Sequence, residues 1–275
     1  MTRRWLGWAL AAPATIAVAI FLVAPVLATF ATTFGGPKGA FAAYAAFFGS
    51  GFRRTVLYRT TEVALITTAI SVFVGFITAY VVSRVRGKAK SILIIAAVFP
   101  LLTGVVVRSF AWLVILGKNG ILNTALLDLG LVSEPLSMLY TEGSVIVAMV
   151  YLFVPLMILT SVGVLEGIPD DLIQASTSLG ASPAATFRQV VFPLAMPGII
   201  VGAVLVFTGS FTSYATPQLL GGERQMMMGT FLYQRAMVTF DWVGASTVAV
   251  IMTVVTIAIV LLMSRIARRL NPAAV

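Results

Sequence analysis

Six long uncharged runs set what this chain can fold into. They are Trp8–Phe30, Val63–Ser83, Ser91–Val107, Gly143–Leu165, Leu194–Gly222 and Trp242–Ser264. A helix needs about 20 mostly apolar residues to cross a bilayer, where every backbone polar group must be satisfied within the protein. A membrane barrel would show alternating strands of roughly ten residues instead. The sequence therefore predicts an all-α polytopic membrane protein with six transmembrane helices, the third continuing past Arg108.

The remaining composition narrows the function classes. The chain has 275 residues, of which 60% are hydrophobic, and it has no Cys and no His. Disulfides, thiolate metal sites and imidazole acid/base chemistry are therefore excluded. No hydrophilic stretch is long enough for an extramembrane domain, so we expect residues 1–275 to form one membrane domain. We expect no metal site and no nucleic-acid partner, because no soluble basic domain accompanies the net charge of +9.

The charges between the runs predict an orientation. One set of loops and termini carries ten cations against three acids, net +7, and the other carries eight cations against six acids, net +2. Cytoplasmic loops are enriched in Lys and Arg, so both termini are expected in the cytoplasm. The first run has 23 residues, longer than a signal-peptide core, and is expected to remain as helix one. The basic segment around Arg53, Arg54 and Arg59 is either an interfacial amphipathic helix or a basic linker.

Residues 166–193, on the predicted cytoplasmic side between helices four and five, read as two short helices. Asp170 and Asp171 suit the first turn of one helix, and Gly180 suits its left-handed end. Ser182 is the expected N-cap of the second helix, which is expected to end before Pro193. Leu172, Ala175 and Leu179 recur at helical spacing and give the first helix an apolar face of the kind that docks in a partner's groove.

This region resembles the cytoplasmic signature of permease subunits of bacterial ABC importers. The family pattern of Glu-Ala-Ala, a Gly, and an apolar-x-apolar-Pro ending appears as Gln174-Ala175-Ser176, Gly180 and Val190-Val191-Phe192-Pro193. Gln174 keeps the length and the acceptor oxygen of the family Glu but not its charge. The resemblance implies a coupling helix that contacts an ATPase subunit through Asp171, Gln174, Ala175, Ser176, Gly180, Ala181, Ser182 and Pro193.

Three further blocks resemble the spermidine/putrescine-type branch of that family. They are FPLLTGVVVRSFAWLVILGKNGILN from Phe99, FTSYATPQLLGG from Phe211 and DWVGAST from Asp241. The branch also includes importers of opines, phosphonates and aminobutyrate. The resemblance implies a permease in the bacterial inner membrane that works with a second, related but heterologous permease chain, two ATPase subunits, a soluble substrate-binding protein and membrane lipid. ATP and Mg²⁺ would be bound by the ATPase subunits and no cofactor by this chain, which has no GxxxxGK[ST] loop.

Six polar or aromatic residues are candidates for the substrate pathway, and each has an alternative role. Arg108 interrupts an apolar run, so it lies near the outer mouth of the pathway, or it snorkels outward or pairs with Glu142 or Glu62. Trp112 is a pathway wall or an interfacial anchor, and Asp241 is a pathway residue or an N-cap. The candidates are Glu62, Arg108, Trp112, Thr212, Tyr214 and Asp241. The alternative to a permease subunit is a self-sufficient secondary transporter or channel for a small ion, which would usually place acids at mid-membrane or show inverted repeats.

Overall fold

The computed structural model describes residues 12–35 and 41–270, and over that part of the chain the fold is helical with no strand. The helices in chain order are α1 Ala12–Thr32, α2 Ala42–Gly49, α3 Gly51–Arg84, α4 Lys88–Leu102, α5 Val105–Leu116, α6 Ile121–Asp128, α7 Glu142–Glu166, α8 Asp170–Ser178, α9 Pro183–Thr212, α10 Ala215–Leu220, α11 Met228–Tyr233 and α12 Trp242–Leu270. The all-α fold class predicted from the uncharged runs is confirmed.

Six helical segments of the described chain are long and apolar enough to cross a membrane. They are Ala12–Thr32, Gly51–Arg84, Val105–Asp128, Glu142–Glu166, Pro183–Thr212 and Trp242–Ile266. The expected count of six is confirmed, and the fourth segment extends the uncharged run by one residue at each end. Residues 8–11 of the first run lie outside the described residues.

The third span differs from the prediction of one helix running from Ser91 past Arg108. The helix ends at Leu102, Thr103 and Gly104 are extended, and a new helix begins at Val105. Pro100 has no N–H to continue the helical hydrogen bonding. Its carbonyl instead accepts hydrogen bonds from the Thr103 hydroxyl at 2.9 Å and from Arg108 Nη1. These side chains satisfy the backbone that the break frees, so the spanning segment is Val105–Asp128.

The contacts divide the chain into two compact units. One comprises the described residues up to Thr55 together with Phe231–Val254, and the other comprises Val56–Thr230 together with the chain from Val255. A single membrane domain over residues 1–275 stays a prediction.

The core of the larger unit depends on close approach between α3, α7 and α9. Met157 is fully buried there, and a β-carbon on Gly75 would come within 2.8 Å of its side chain. A β-carbon on Gly198 would likewise lie 2.9 Å from the Thr160 carbonyl oxygen. Small residues allow membrane helices to pack closely. This close packing stabilises helix association, to which apolar burial contributes little within lipid. This packing holds α3, α7 and α9 against one another.

Candidate functional site

The first candidate site is built around the short helix α8. Pro169 stands at the N-cap position, and Asp170 and Asp171 occupy the first turn, where the helix dipole favours acids. Asp170 lies 3.8 Å from Arg84, the last residue of α3, and 3.6 Å from Arg86 in the connection between α3 and α4. These groups are largely exposed, so each pair adds little stability. They nevertheless direct the start of α8 toward the α3–α4 connection.

Gly180 ends α8 in the left-handed conformation expected from the sequence, with φ of +84°. The Gly180 N–H donates to the Thr177 carbonyl at 2.9 Å, and the Ala181 N–H donates to the Ser176 carbonyl at 3.2 Å. This pair of bonds is a Schellman motif, which satisfies the last carbonyls of the helix. The prediction of a glycine stop is confirmed.

The next helix also begins as expected, because Ser182 Oγ accepts the Ala185 N–H at 3.3 Å and Pro183 takes the first helical position. The expectation that this helix ends before Pro193 is wrong. The chain passes through a π turn at Phe187–Val191 and continues as the fifth span to Thr212. A proline ring in a regular helix clashes with the carbonyl four residues earlier, and the wider π turn directly precedes Pro193.

Two side chains of α8 face the rest of the unit. Ile173 packs against the buried cluster that includes Phe76 and Val191. The Ser176 hydroxyl lies 3.0 Å from the Thr186 hydroxyl, where either oxygen can donate. These contacts anchor α8 to the N-terminal end of α9.

The apolar residues on the neighbouring face of α8 are not covered by the chain. Leu172 is 44% exposed, Leu179 is 88% exposed, and Ala175 between them is exposed as well. Gln174 and Asp171 lie beside them and are also exposed. An anchored helix that presents apolar side chains and an adjoining polar edge is suited to docking in a groove of another protein.

Arg108, a pathway candidate, does not pair with Glu142 as one alternative expected. Glu142 accepts a hydrogen bond from Arg59 Nε at 2.9 Å, and Arg59 also donates to the Arg224 carbonyl at 3.0 Å. Arg108 bonds the Pro100 carbonyl, and its buried Nε has no hydrogen-bond partner among the described residues. Arg59 and Glu142 are 83 residues apart in the sequence, so no local sequence pattern indicates that they pair. Sequence reasoning therefore missed Arg59 as the partner of Glu142.

Glu62 and Trp112 lie in the larger unit and differ in their surroundings. The uncharged run from Val63 predicts that helix two opens at Glu62, but α3 begins at Gly51, so Glu62 lies about three turns into the helix, beyond the reach of the N-terminal dipole. Its carboxylate makes no hydrogen bond or ion pair with any described residue. The Trp112 ring meets Tyr151 edge to face at 5.7 Å and packs against the cluster around Met149.

A polar break around the pathway candidates Thr212 and Tyr214 ends the fifth spanning helix. α9 ends at Thr212, Ser213 is extended, and α10 begins after Tyr214. The Thr212 hydroxyl donates to the Thr208 carbonyl at 2.8 Å. The break thus separates a spanning helix from a short helix of six residues.

Asp241, in the smaller unit, is the N-cap of α12. Its Oδ1 accepts the Gly244 N–H at 2.8 Å, and its Oδ2 accepts from Arg235 Nη1 at 2.7 Å. The N-cap alternative is confirmed, and both oxygens of this pathway candidate already have donors. Asp241 belongs to the smaller unit, whereas Glu62, Arg108 and Trp112 belong to the larger one.

Comparison with known proteins agrees with this architecture. Residues 39–274 match the family described as binding-protein-dependent transport system inner membrane component. The chain is 32% identical to the spermidine/putrescine transport system permease protein PotB of Haemophilus influenzae, over 78% of this chain and 76% of that protein. It is 32% identical to the inner membrane ABC transporter permease protein YdcU of Escherichia coli, over 78% and 71%.

Solved structures show the same fold at lower identity. A chain of the bacterial alginate ABC transporter, in complex with an alginate pentasaccharide-bound periplasmic protein, superposes with a TM-score of 0.82 at 17% identity, covering 98% of this chain and 96% of that chain. A chain of the MetNI methionine ABC transporter in an inward-facing conformation superposes with a TM-score of 0.60 at 19% identity, covering 81% and 99%. The chain belongs to the binding-protein-dependent transport system inner membrane component family and is a multi-pass permease subunit of an ABC importer.

Proposed function

We propose that this permease subunit imports a small organic solute with both termini in the cytoplasm and α8 docked on an ATPase subunit. Two ATPase subunits would bind ATP and Mg²⁺, and this chain would bind no cofactor. A soluble binding protein would deliver the solute to a pathway formed with a second, related permease chain. The net charge of +7 against +2 supports the orientation.

The observation that carries the coupling role is the uncovered apolar face of α8. Leu172, Ala175 and Leu179 are exposed on a helix whose other side is anchored through Ile173 and Ser176. Because the C-terminal end of α8 is capped at Gly180 and Ser176 contacts Thr186, a force on this face would be transmitted to α9. Six further residues would shape or flank the same contact: Asp171, Gln174, Gly180, Ala181, Ser182 and Pro193.

Ala175→Glu tests the docking, with Thr177→Glu as the matched control. Both positions are exposed, and they lie about 160° apart around the helix. At Ala175 the glutamate would fill the approach position and bury an unpaired charge. We expect Ala175→Glu to abolish copurification of the ATPase subunit and transport, while Thr177→Glu retains both. Normal partner binding and transport by Ala175→Glu would overturn the docking role.

The proposed substrate class is a polyamine-like organic cation. The name of the PotB relative includes spermidine and putrescine. Glu62 supports this class because its carboxylate on a spanning helix has no partner among the described residues, whereas Glu142 and Asp241 are paired with arginines. A carboxylate can bind an ammonium group through a charge-assisted hydrogen bond.

Glu62→Gln removes this charge while keeping the side-chain size, and Glu223→Gln is the control in an exposed loop. We expect Glu62→Gln to lower transport of spermidine or putrescine about tenfold, the effect of losing one charge-assisted bond, while Glu223→Gln transports normally. Unchanged spermidine and putrescine transport by Glu62→Gln would remove Glu62 from the pathway. Cysteine labelling at Ser182 in this Cys-free chain tests the orientation, and labelling from outside would reverse it.

A further inference from the structure

A cavity in the smaller unit is lined by two positively charged side chains and one negatively charged side chain. The cavity is about 210 Å³ and is lined by residues of α2, α3, α11 and α12 and the turn between the last two, including Phe47, Arg53, Arg235 and Asp241. Asp241 neutralises Arg235 through the 2.7 Å ion pair. Arg53 makes no hydrogen bond or ion pair with any residue that the structure describes. A partly buried guanidinium is costly to leave unpaired, so the cavity is suited to a singly charged anionic group.

The walls of the cavity favour an anion that carries an apolar body. Besides Phe231, the lining includes the apolar residues Ala43, Ala46, Phe47, Val243 and Val248. Phe231 is held beneath the Arg235 guanidinium, which lies 5.1 Å from its ring centroid. A zwitterionic headgroup would need an acid for its ammonium, and both oxygens of the only lining acid, Asp241, already have donors. The lining therefore favours a group with net negative charge.

An apolar groove follows the cavity along α12. It has a volume of about 270 Å³ and is lined by Val26, Thr29 and Phe30 of α1 and by Ala249, Val250, Thr253 and Val254 of α12. Val243 and Thr247 in the cavity lining and Val250 and Val254 in the groove lining lie at helical spacing on one face. From Val243 to Val254 the helix rises roughly 16 Å, close to half of a hydrocarbon core about 30 Å thick.

We propose that the cavity and the groove together bind one anionic phospholipid, with its phosphate at Arg53 and one acyl chain along the groove between α1 and α12. The charge of the cavity matches the single negative charge of a phosphatidylglycerol headgroup. The length and apolar lining of the groove match the part of an acyl chain within one leaflet. This lipid site does not depend on the proposed coupling or substrate roles.

Native mass spectrometry of the purified full chain, titrated with phosphatidylglycerol in detergent, tests the site. We expect Arg53→Ala to weaken binding of one lipid about tenfold, as loss of a charge-assisted contact does. Arg53→Lys should retain most of the binding. Arg54→Ala is the matched control, because Arg54 is the adjacent, exposed cation outside the cavity. Thr253→Phe, which fills the groove, should also weaken binding, while Ile257→Phe on the exposed surface beyond the groove should not.

Two comparisons distinguish a bound phospholipid from a free anion. Inorganic phosphate, titrated into lipid-stripped protein, should bind far more weakly than phosphatidylglycerol. Phosphate binding as tight as lipid binding, or lipid binding indifferent to Thr253→Phe, would overturn the lipid site in favour of a free anion. Equal lipid binding by Arg53→Ala and Arg54→Ala would also overturn the lipid site. This holds even if Arg53→Ala weakens assembly with a partner protein. Circular dichroism of each variant establishes that the chain is folded.

Discussion

Replacing Gly180 by valine tests whether the left-handed backbone conformation at the end of α8 is needed to orient that helix. A β-carbon at Gly180 would meet no atom within 4 Å, so the added β-carbon introduces no steric overlap. The cost is the left-handed conformation at φ +84°, which strains a residue other than glycine by roughly 1–3 kcal/mol. Since about 1.4 kcal/mol changes an equilibrium tenfold, the relative population of the native turn should fall roughly 5- to 150-fold. Leaving that turn breaks the hydrogen bonds from Gly180 to Thr177 and from Ala181 to Ser176.

The assay is binding-protein-stimulated ATP hydrolysis by the complete importer in proteoliposomes. Gly180→Val should lose most of the stimulation although its spans still insert. Gly180→Asn is the control, because asparagine enters the left-handed region more readily than other residues with a side chain, and it should retain most of the activity. Wild-type stimulation in Gly180→Val, or an equal loss in both variants, would refute the argument from backbone geometry.

Two further predictions concern the packing of the larger unit. Gly75→Leu should destabilise the chain by about 1–3 kcal/mol or more, because even its β-carbon would lie 2.8 Å from Met157, whereas Gly163→Leu enters open space and should be tolerated in thermal unfolding. Arg59→Gln and Glu142→Gln should each cost about 1 kcal/mol, and the double substitution should cost little more than either one, because the 2.9 Å pair is already broken. Additive losses would show that the two groups are not coupled.

Local signals in the sequence predicted the features that depend on nearest neighbours along the chain. Gly180 and Ser182 define a stop and a start through backbone conformation and a side-chain cap, and both are where the sequence places them. The uncharged runs predicted six spans because lipid imposes a minimum length on a helix. Features set by one or a few adjacent residues are thus accessible without a structure.

The features that could not be predicted depend on a choice between competing partners. Arg108 could bond an acid or a freed carbonyl, and only the fold shows that Glu142 is taken by Arg59 and that the Pro100 carbonyl is available. The helix break at Thr103 lies within an uncharged run, and the π turn at Phe187–Val191 lies within a helix that continues into the fifth span, so hydropathy carries no sign of either. The pathway candidates were chosen by residue type, and the fold places them in separate surroundings.

Site-specific photocrosslinking from Leu179 tests the central claim most directly. Leu179 is the most exposed residue of the apolar face of α8, at 88%, and Leu131, 67% exposed in the connection after α6, is the control of the same residue type. With a photoreactive amino acid at each position in turn, the assembled importer should yield a crosslink from position 179 to the ATPase subunit and none from position 131. Absence of an ATPase crosslink from position 179, or equal crosslinks from both positions, would contradict the account of α8 as the coupling helix.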